Sequence, residues 1–410
     1  MSLVRRFLIT LLFTAMLTGS WAAQLIYTSY EFTTPAGMPG HAGYWDAPVG
    51  SGAVFNHPSS VAVDGSNNIY VADANNDLIR NLTPAGTNWA VSTLSAGAIH
   101  PYALALDRAG NIYVADRSNG VVRLTLSGTN WVASVLSSNY LSLGIAVDRS
   151  TNVYVNDGNA VIVKIAPSGV VTPLAGLAGT TGTNDGVGSA ARFNHPCGLA
   201  VDLATNVYVA DSGNHTIRKI TPQGAVTTLA GVAKVAGGFD GTNGTSSVGL
   251  FNGPRGVAVD GATNVYVADY NNQTIRRISP AGVVTTVAGL YNLSGSANGA
   301  GNGARFCYPE GIAVSNGSLY VADSANDTIR RGTITAPVLI PHSIGYTASH
   351  AVFSLTGLPG QPVVVLASTN LLDWVPIWTN TLDYQAISFS DPRTNRFPRY
   401  FYRAAIAIPR

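Results

Sequence analysis

Apolar and polar residues alternate along most of this chain in short runs bounded by Gly, Pro, Asn and Asp. A representative stretch reads Pro196-Cys197-Gly198-Leu199-Ala200-Val201-Asp202, then Asn206-Val207-Tyr208-Val209-Ala210, then Thr216-Ile217-Arg218-Lys219-Ile220, then Val226-Thr227-Thr228-Leu229-Ala230. Period-two patterning, β-branched and aromatic residues, and a turn signal at each junction predict four short antiparallel strands. The set returns roughly every 40 to 60 residues, with first-strand acids at Asp64, Asp107, Asp148, Asp202 and Asp260 and Ser315 in the sixth place. Six four-stranded units predict an all-β, six-bladed β-propeller.

The second strand of each unit carries the most regular string. It is Tyr70-Val71-Ala72-Asp73 with Asn76 and Arg80, and it recurs as Tyr208…Asp211…Asn214…Arg218, Tyr266…Asp269…Asn272…Arg276 and Tyr320…Asp323…Asn326…Arg330. Looser copies are Tyr113…Asp116…Asn119…Arg123 and Tyr154…Asp157…Lys164. The third unit also has Asn156 in place of Ala and lacks the leading proline. A binding site is asymmetric, so residues present in every copy are expected to be structural. The Asp is expected to hold its own turn and the Arg to brace a neighbouring strand.

The Tyr-Val-Ala-Asp-x-x-Asn-x-x-Ile-Arg string, with Phe-Asn-x-Pro at Phe55, Phe193 and Phe251, resembles the NHL repeat family of six-bladed propellers over about residues 27–335. The sixth unit stops after its third strand near Thr335. Phe32-Thr33-Thr34-Pro35-Ala36-Gly37 matches the fourth-strand pattern, so the segment around residues 27–37 is expected to close blade six and hide two sheet edges. The expected organisation is a leader over 1–22, a propeller over 23–335 and a small β-sandwich over 336–410. The last segment resembles C-terminal modules of exported bacterial proteins.

Composition narrows the function classes. Residues 1–22 combine Arg5 and Arg6, an apolar stretch and Ser20-Trp21-Ala22, the pattern of a secretory signal peptide, so a secreted, periplasmic or envelope location is expected. Removing it leaves 21 basic residues against 21 acidic ones, with three lysines, which argues against nucleic acid as a partner. No stretch is long enough for a transmembrane segment, and a monomer is expected. Cys197 and Cys307 sit at non-equivalent positions, and two thiols rather than a disulfide are expected.

Candidate function lies where the copies differ. The interblade loops at 37–54, 176–192, 231–250 and 289–305 are long and glycine-rich, and those at 95–100 and 137–141 are short. One side of that face should be walled and the other low, and long loops either carry function or cover the ring. Residues just after the leading proline should line the channel mouth: Ser59, Tyr102, Cys197, Arg255 and Glu310, with Leu143 in the third unit. Arg255 and Glu310 either meet a ligand or pair with each other. Tyr44, Trp45, Tyr140, Tyr291 and Tyr308 add aromatic surface, and Trp89 and Trp131 look like hairpin anchors on the opposite face.

His57, His100 and His195 precede the leading proline. In peptidyl-hydroxyglycine lyases, which share this propeller type, zinc histidines directly follow it, and here Ser59, Tyr102 and Cys197 stand there instead. No metal ligand is therefore assigned. Asp46, Asp185 and Asp240 are expected to form turns rather than bind calcium, and no nucleophile elbow, zincin helix or Walker loop is present. The sequence names no cofactor and no catalytic residue. The expected function is binding of a protein or carbohydrate ligand at Tyr102, Arg255, Glu310, Ser59, His57, His100, His195 and Tyr308. A lyase or hydrolase at the mouth, or an inert envelope part, is the alternative.

Overall fold

The computed structural model describes residues 30–334 apart from 95, 97–98, 139–142, 159 and 243–247, and the strands at 338–339, 345–346, 351–356, 362–368, 375–381, 387–391 and 401–406. The leader lies outside the described residues. Tyr30–Thr333 is one compact unit. In the second, the described strands pair antiparallel into two sheets, with Phe353 opposite Phe389 in one and Val365 opposite Trp378 and Ala404 in the other.

The propeller has six antiparallel sheets. Blade one is Pro58–Val63, Ile69–Asp73, Leu78–Ala85 and Asn88–Thr93. Blade two is Pro101–Leu106, Ile112–Asp116, Gly120–Ser127 and Asn130–Ser137, and blade three Ile145–Val147, Val153–Asn156, Val161–Ile165 and Val171–Gly176. Blade four is Pro196–Val201, Val207–Asp211, Thr216–Ile220 and Ala225–Ala230, and blade five Val257–Val259, Val265–Asp269, Thr274–Ile278 and Val283–Gly289. In blade six, Pro309–Ser315, Ser318–Asp323 and Thr328–Ile334 are completed by Tyr30–Ala36 from the other end of the chain. Phe32 is fully buried and meets Phe306 edge-on at 5.1 Å, while the Tyr30 hydroxyl meets that of Tyr266 in blade five at 3.2 Å.

Each first-strand Asp caps its own turn. Asp107 accepts from the Ala109 and Asn111 backbone, the Asn111 amide and the Tyr113 hydroxyl, and Asp202 repeats the set. The tyrosine of the string in blades one to five is thereby fixed between blades. Clusters of Val, Ile, Leu and Ala fill those spaces, as where blade-three Ile162 and Ala175 pack with blade-four Leu199 and Val209.

The repeated Arg does more than brace a strand. In blades one, four, five and six it is buried and pairs directly with the Asp seven residues earlier, at 2.8–2.9 Å. Its other terminal nitrogen reaches an acceptor in the long loop: Asp46, Asp185, Asp240 or, in blade six, Asn298. Those acids, expected as turn formers, also bind the outer strand, as Asp185 does at Thr228. The Asn of the string donates to a loop carbonyl of Gly43, Gly182, Gly237 or Gly295. Phe55, Phe193, Phe251 and Phe306 stack on the same guanidiniums at 5.0–5.3 Å. Three of the long loops then add a two-residue fifth strand at 186–187, 241–242 and 299–300, and Ala47 bridges Val91 in the fourth. These loops are part of the scaffold.

Blades two and three have neither long loop nor Phe, and among the described residues neither Arg123 nor Lys164 forms an ion pair. The departure at Asn156 is compensatory. Its side-chain oxygen accepts from the Leu143 and Gly144 backbone, and its amide donates to Pro196 and Cys197 carbonyls in blade four. Trp131 meets Tyr70 of blade one at 6.3 Å, and Trp89 lies beside Arg331 of blade six. Both tryptophans thus brace neighbouring blades, rather than only their own hairpins.

Removing residues 30–36 should abolish cooperative unfolding of the whole ring, because it opens blade six at its buried face. A shortened chain with an unchanged urea midpoint would refute this. Burial pushes Asp269 and Asp323 up to about 6, against the pull of Arg276 and Arg330. A folded-state value above the free one means their contribution to stability is complete below about pH 3.8 and is lost as pH rises through about 6. The stability advantage of wild type over Asp269→Asn should therefore narrow between pH 5 and pH 7.5 in urea titrations. Widening would show that the arginine wins.

Candidate functional site

The mouth of the central channel is set by backbone contacts between inner strands. The glycine two residues after the leading proline sits against the next blade: a Cβ on Gly198 would lie 2.4 Å from the Arg255 carbonyl, and one on Gly256 would lie 2.2 Å from that of Glu310. Gly198 N–H donates to the Arg255 carbonyl at 2.7 Å. The residue between proline and glycine is thereby fixed and turned toward the axis. Ser59, Tyr102, Leu143, Cys197, Arg255 and Glu310 all line one cavity of about 60 Å³, room for only a few waters.

The cavity is small because three side chains meet across the axis. The Tyr102 hydroxyl of blade two donates to Glu310 Oε1 of blade six, and Arg255 Nη1 of blade five donates to the same oxygen at 2.6 Å. Arg255 Nη1 also lies 3.4 Å from the Tyr102 oxygen. Ser324 Oγ is 3.3 Å from Glu310 Oε2, and His57 Nδ1 is 3.9 Å from it. Ser59 Oγ donates to the Tyr102 carbonyl at 2.6 Å. Glu310 is 5% exposed and Arg255 30%. Arg255 and Glu310 therefore do pair, and they do so beneath an exposed guanidinium edge.

Burial, then the Glu310 charge and its hydrogen bond, push the Tyr102 hydroxyl far above the ordinary tyrosine range. Burial works against the Arg255 charge, but Glu310 holds it above its usual value. Burial pushes the Cys197 thiol up to about 11, and its sulfur lies 3.4 Å from His195 Nδ1. Both cysteines are free thiols.

A second ring surrounds the first and was missed in the sequence. It is formed by the residue after the Asp of each string. Tyr270 lies under the Arg255 guanidinium, 3.8 Å from ring centroid to Cζ, and Arg117 covers the Tyr102 ring at 4.7 Å. Tyr270 contacts Tyr308 with centroids 4.9 Å apart. The available signal was variation directly beside a repeated Asp, as in Ala74, Arg117, Ser212, Tyr270 and Ser324.

The three histidines are not equivalent. His57 and His195, like Tyr308, have left-handed backbone at φ 51–53°, and their side chains stand beside Glu310 and Cys197. His100 is held differently: its N–H donates to Asp116, as those of Asn56 and Asn194 do to Asp73 and Asp211. Among the described residues no cluster of three His, Cys, Asp or Glu could hold a metal ion. Tyr44, Trp45 and Tyr291 are exposed on loops. Tyr140 and most of the low wall over blades two and three lie outside the described residues.

This geometry defines a six-bladed propeller with a plugged channel mouth. A sequence profile of the NHL repeat matches residues 55–80, 251–278 and 306–331, so the six-bladed propeller carries NHL repeats. NHL repeat-containing protein 2 of Bos taurus is 42% identical over 98 residues, covering 23% of this chain and 13% of the relative, so the chain spans a small part of that relative's length. A protein of unknown function from Bacteroides thetaiotaomicron shares the fold with TM-score 0.63 and 22% identity over 74% of this chain and 75% of that one. A Bacteroides ovatus structure described as an auxiliary nutrient binding protein has TM-score 0.61 and 19% identity over 75% and 77%. Among the described residues no helix is long and apolar enough to cross a membrane.

With its thiol held neutral, Cys197 should resist iodoacetamide in the native protein at pH 8 and react once urea unfolds the ring. Peptide mass spectrometry reads both states, and rapid native labelling would show an open, ionised cysteine.

Proposed function

We propose that the chain is a binding module whose ligand lies on the channel mouth, across Arg255, Tyr308 and the neighbouring Tyr270. The observation that carries this reading is the division of labour among polar residues. The repeated Asp, Asn and Arg side chains of blades one, four, five and six are spent on one another and on the loops. The mouth instead presents different residue types and a partly exposed arginine stacked on an aromatic pair. Solved propellers of this fold described as nutrient binding proteins agree with a binding role. An exported setting, with the leader removed, and a carbohydrate or protein ligand complete the proposal.

The mouth suits binding better than turnover. Its tyrosine and thiol are both pushed away from ionisation, and one Glu310 oxygen takes both the Tyr102 hydroxyl and Arg255. A glycan and peptide array with the purified protein tests the reading. Arg255→Ala and Tyr308→Ala should each weaken the captured ligand tenfold or more, about 1.4 kcal/mol, with the unfolding temperature of Tyr308→Ala unchanged. Equal binding by both variants would place the site elsewhere.

A further inference from the structure

We infer that the mouth recognises a carboxylate carried on a sugar ring, that is, an acidic (uronate-bearing) glycan. This rests on the mouth being the binding site. Arg255 commits a single nitrogen, Nη1, to Glu310 and Tyr102. Among the described residues its Nε and Nη2 have no protein acceptor, and the side chain is 30% exposed, so one edge of the planar fork faces solvent. That edge is the shape that takes a carboxylate through two parallel hydrogen bonds. Stacking on Tyr270 at 3.8 Å and the pull of Glu310 hold the fork in place before any ligand arrives.

The charge balance points the same way. Glu310 does not repel an incoming anion strongly, because Tyr102 and Arg255 occupy one oxygen and Ser324 contacts the other. Asp327 is spent on the His57 N–H at 2.8 Å. Arg117, exposed and lying over the Tyr102 ring at 4.7 Å, adds a second cation beside the mouth. The mouth thus carries two guanidiniums, one of them paired with its carboxylate.

The aromatic surface selects the rest of the ligand. Tyr308 is 41% exposed and stands beside Tyr270, the ring on which the Arg255 guanidinium stacks. A pyranose ring can lay its C–H face on such a phenol while its carboxylate meets the fork. The cavity below is too small to swallow a side chain, so a flat residue lying across the floor fits and a deep plug does not.

The test is calorimetry on the full chain with a galacturonate trisaccharide, its methyl ester, the neutral galactose trisaccharide, and a short peptide with a free or amidated C-terminus. The acid should bind at least tenfold tighter than ester and neutral sugar, and weaken as salt rises. Arg255→Gln should erase the acid-over-ester preference, Arg117→Gln should reduce it, and Tyr308→Ala should weaken acid and ester together. If Arg255→Gln fails to fold, Arg117→Gln carries the charge test. Equal binding of acid and ester, with sensitivity to Tyr308→Ala, overturns the carboxylate inference but leaves the mouth as the site. Preference for the free peptide C-terminus, or no binding in any arm, overturns it too. Acid binding that ignores Tyr308→Ala and both arginine variants overturns the inference and the binding site together.

Discussion

A guanidinium moved out of water needs acceptors at its terminal nitrogens, or the ring that buries it is strongly destabilised. Arg80, Arg218, Arg276 and Arg330 impose that condition on their blades. Each is met by an Asp of its own second strand, a carbonyl from the segment leading into the blade, and an acid or amide from the preceding long loop. Stripping away one partner of such a buried pair typically costs about 3–5 kcal/mol. The long loop, the Phe that covers the guanidinium and the Asp-x-x-Asn turn are thus parts of one device. Where the loop is short, blade two keeps only the Asp116–Asn119 turn, and among the described residues neither blade two nor blade three has the Phe or the buried ion pair.

That device also decides which residues are free to face a ligand. Gly43–Ala47, Thr183–Val187 and Gly237–Gly241 are tied to the blade beneath them at both ends of an arginine, so their backbone serves the ring. Glycines at 198, 256 and 311 bring the inner strands together at carbonyl distance. A side chain between a leading proline and such a glycine has little choice but to point at the axis. The fold thereby converts six positions of unconstrained chemistry into one floor.

Much of this was legible in the chain. Period-two runs and the Tyr-Val-Ala-Asp string gave blade number and strand order, and the offset from the leading proline placed Ser59, Tyr102, Cys197, Arg255 and Glu310 around one mouth. What could not be read was partnership. Asp185 and Asp240 look like ordinary Asp-Gly turns until the arginine 33 or 36 residues later is seen beneath them. Tyr102 and Glu310 are 208 residues apart, and only the narrowness of the channel lets a phenol from blade two touch a carboxylate in blade six. Tyr270 was hidden because it follows a repeated Asp, where the eye credits the repeat and passes over its variable neighbour. His57, His100 and His195 looked alike by spacing, yet one missing residue before Pro101 gives His100 the backbone task that Asn56 performs elsewhere.

The Tyr102–Glu310–Arg255 contact changes what a propeller channel can be. An open tube lined by aliphatic side chains would offer passage or a greasy slot. Closing it with one shared carboxylate puts a charged, pre-oriented floor at the level of the loops, and burial below that floor keeps the ion pair strong. The same closure engages the polar groups of the mouth with one another. Glu310 Oε1 accepts from two donors, Tyr102 is locked as a donor, and Cys197 is kept as a thiol by its burial. A site whose acids and bases are already satisfied by one another can hold a ligand tightly, but it has little left with which to move a proton.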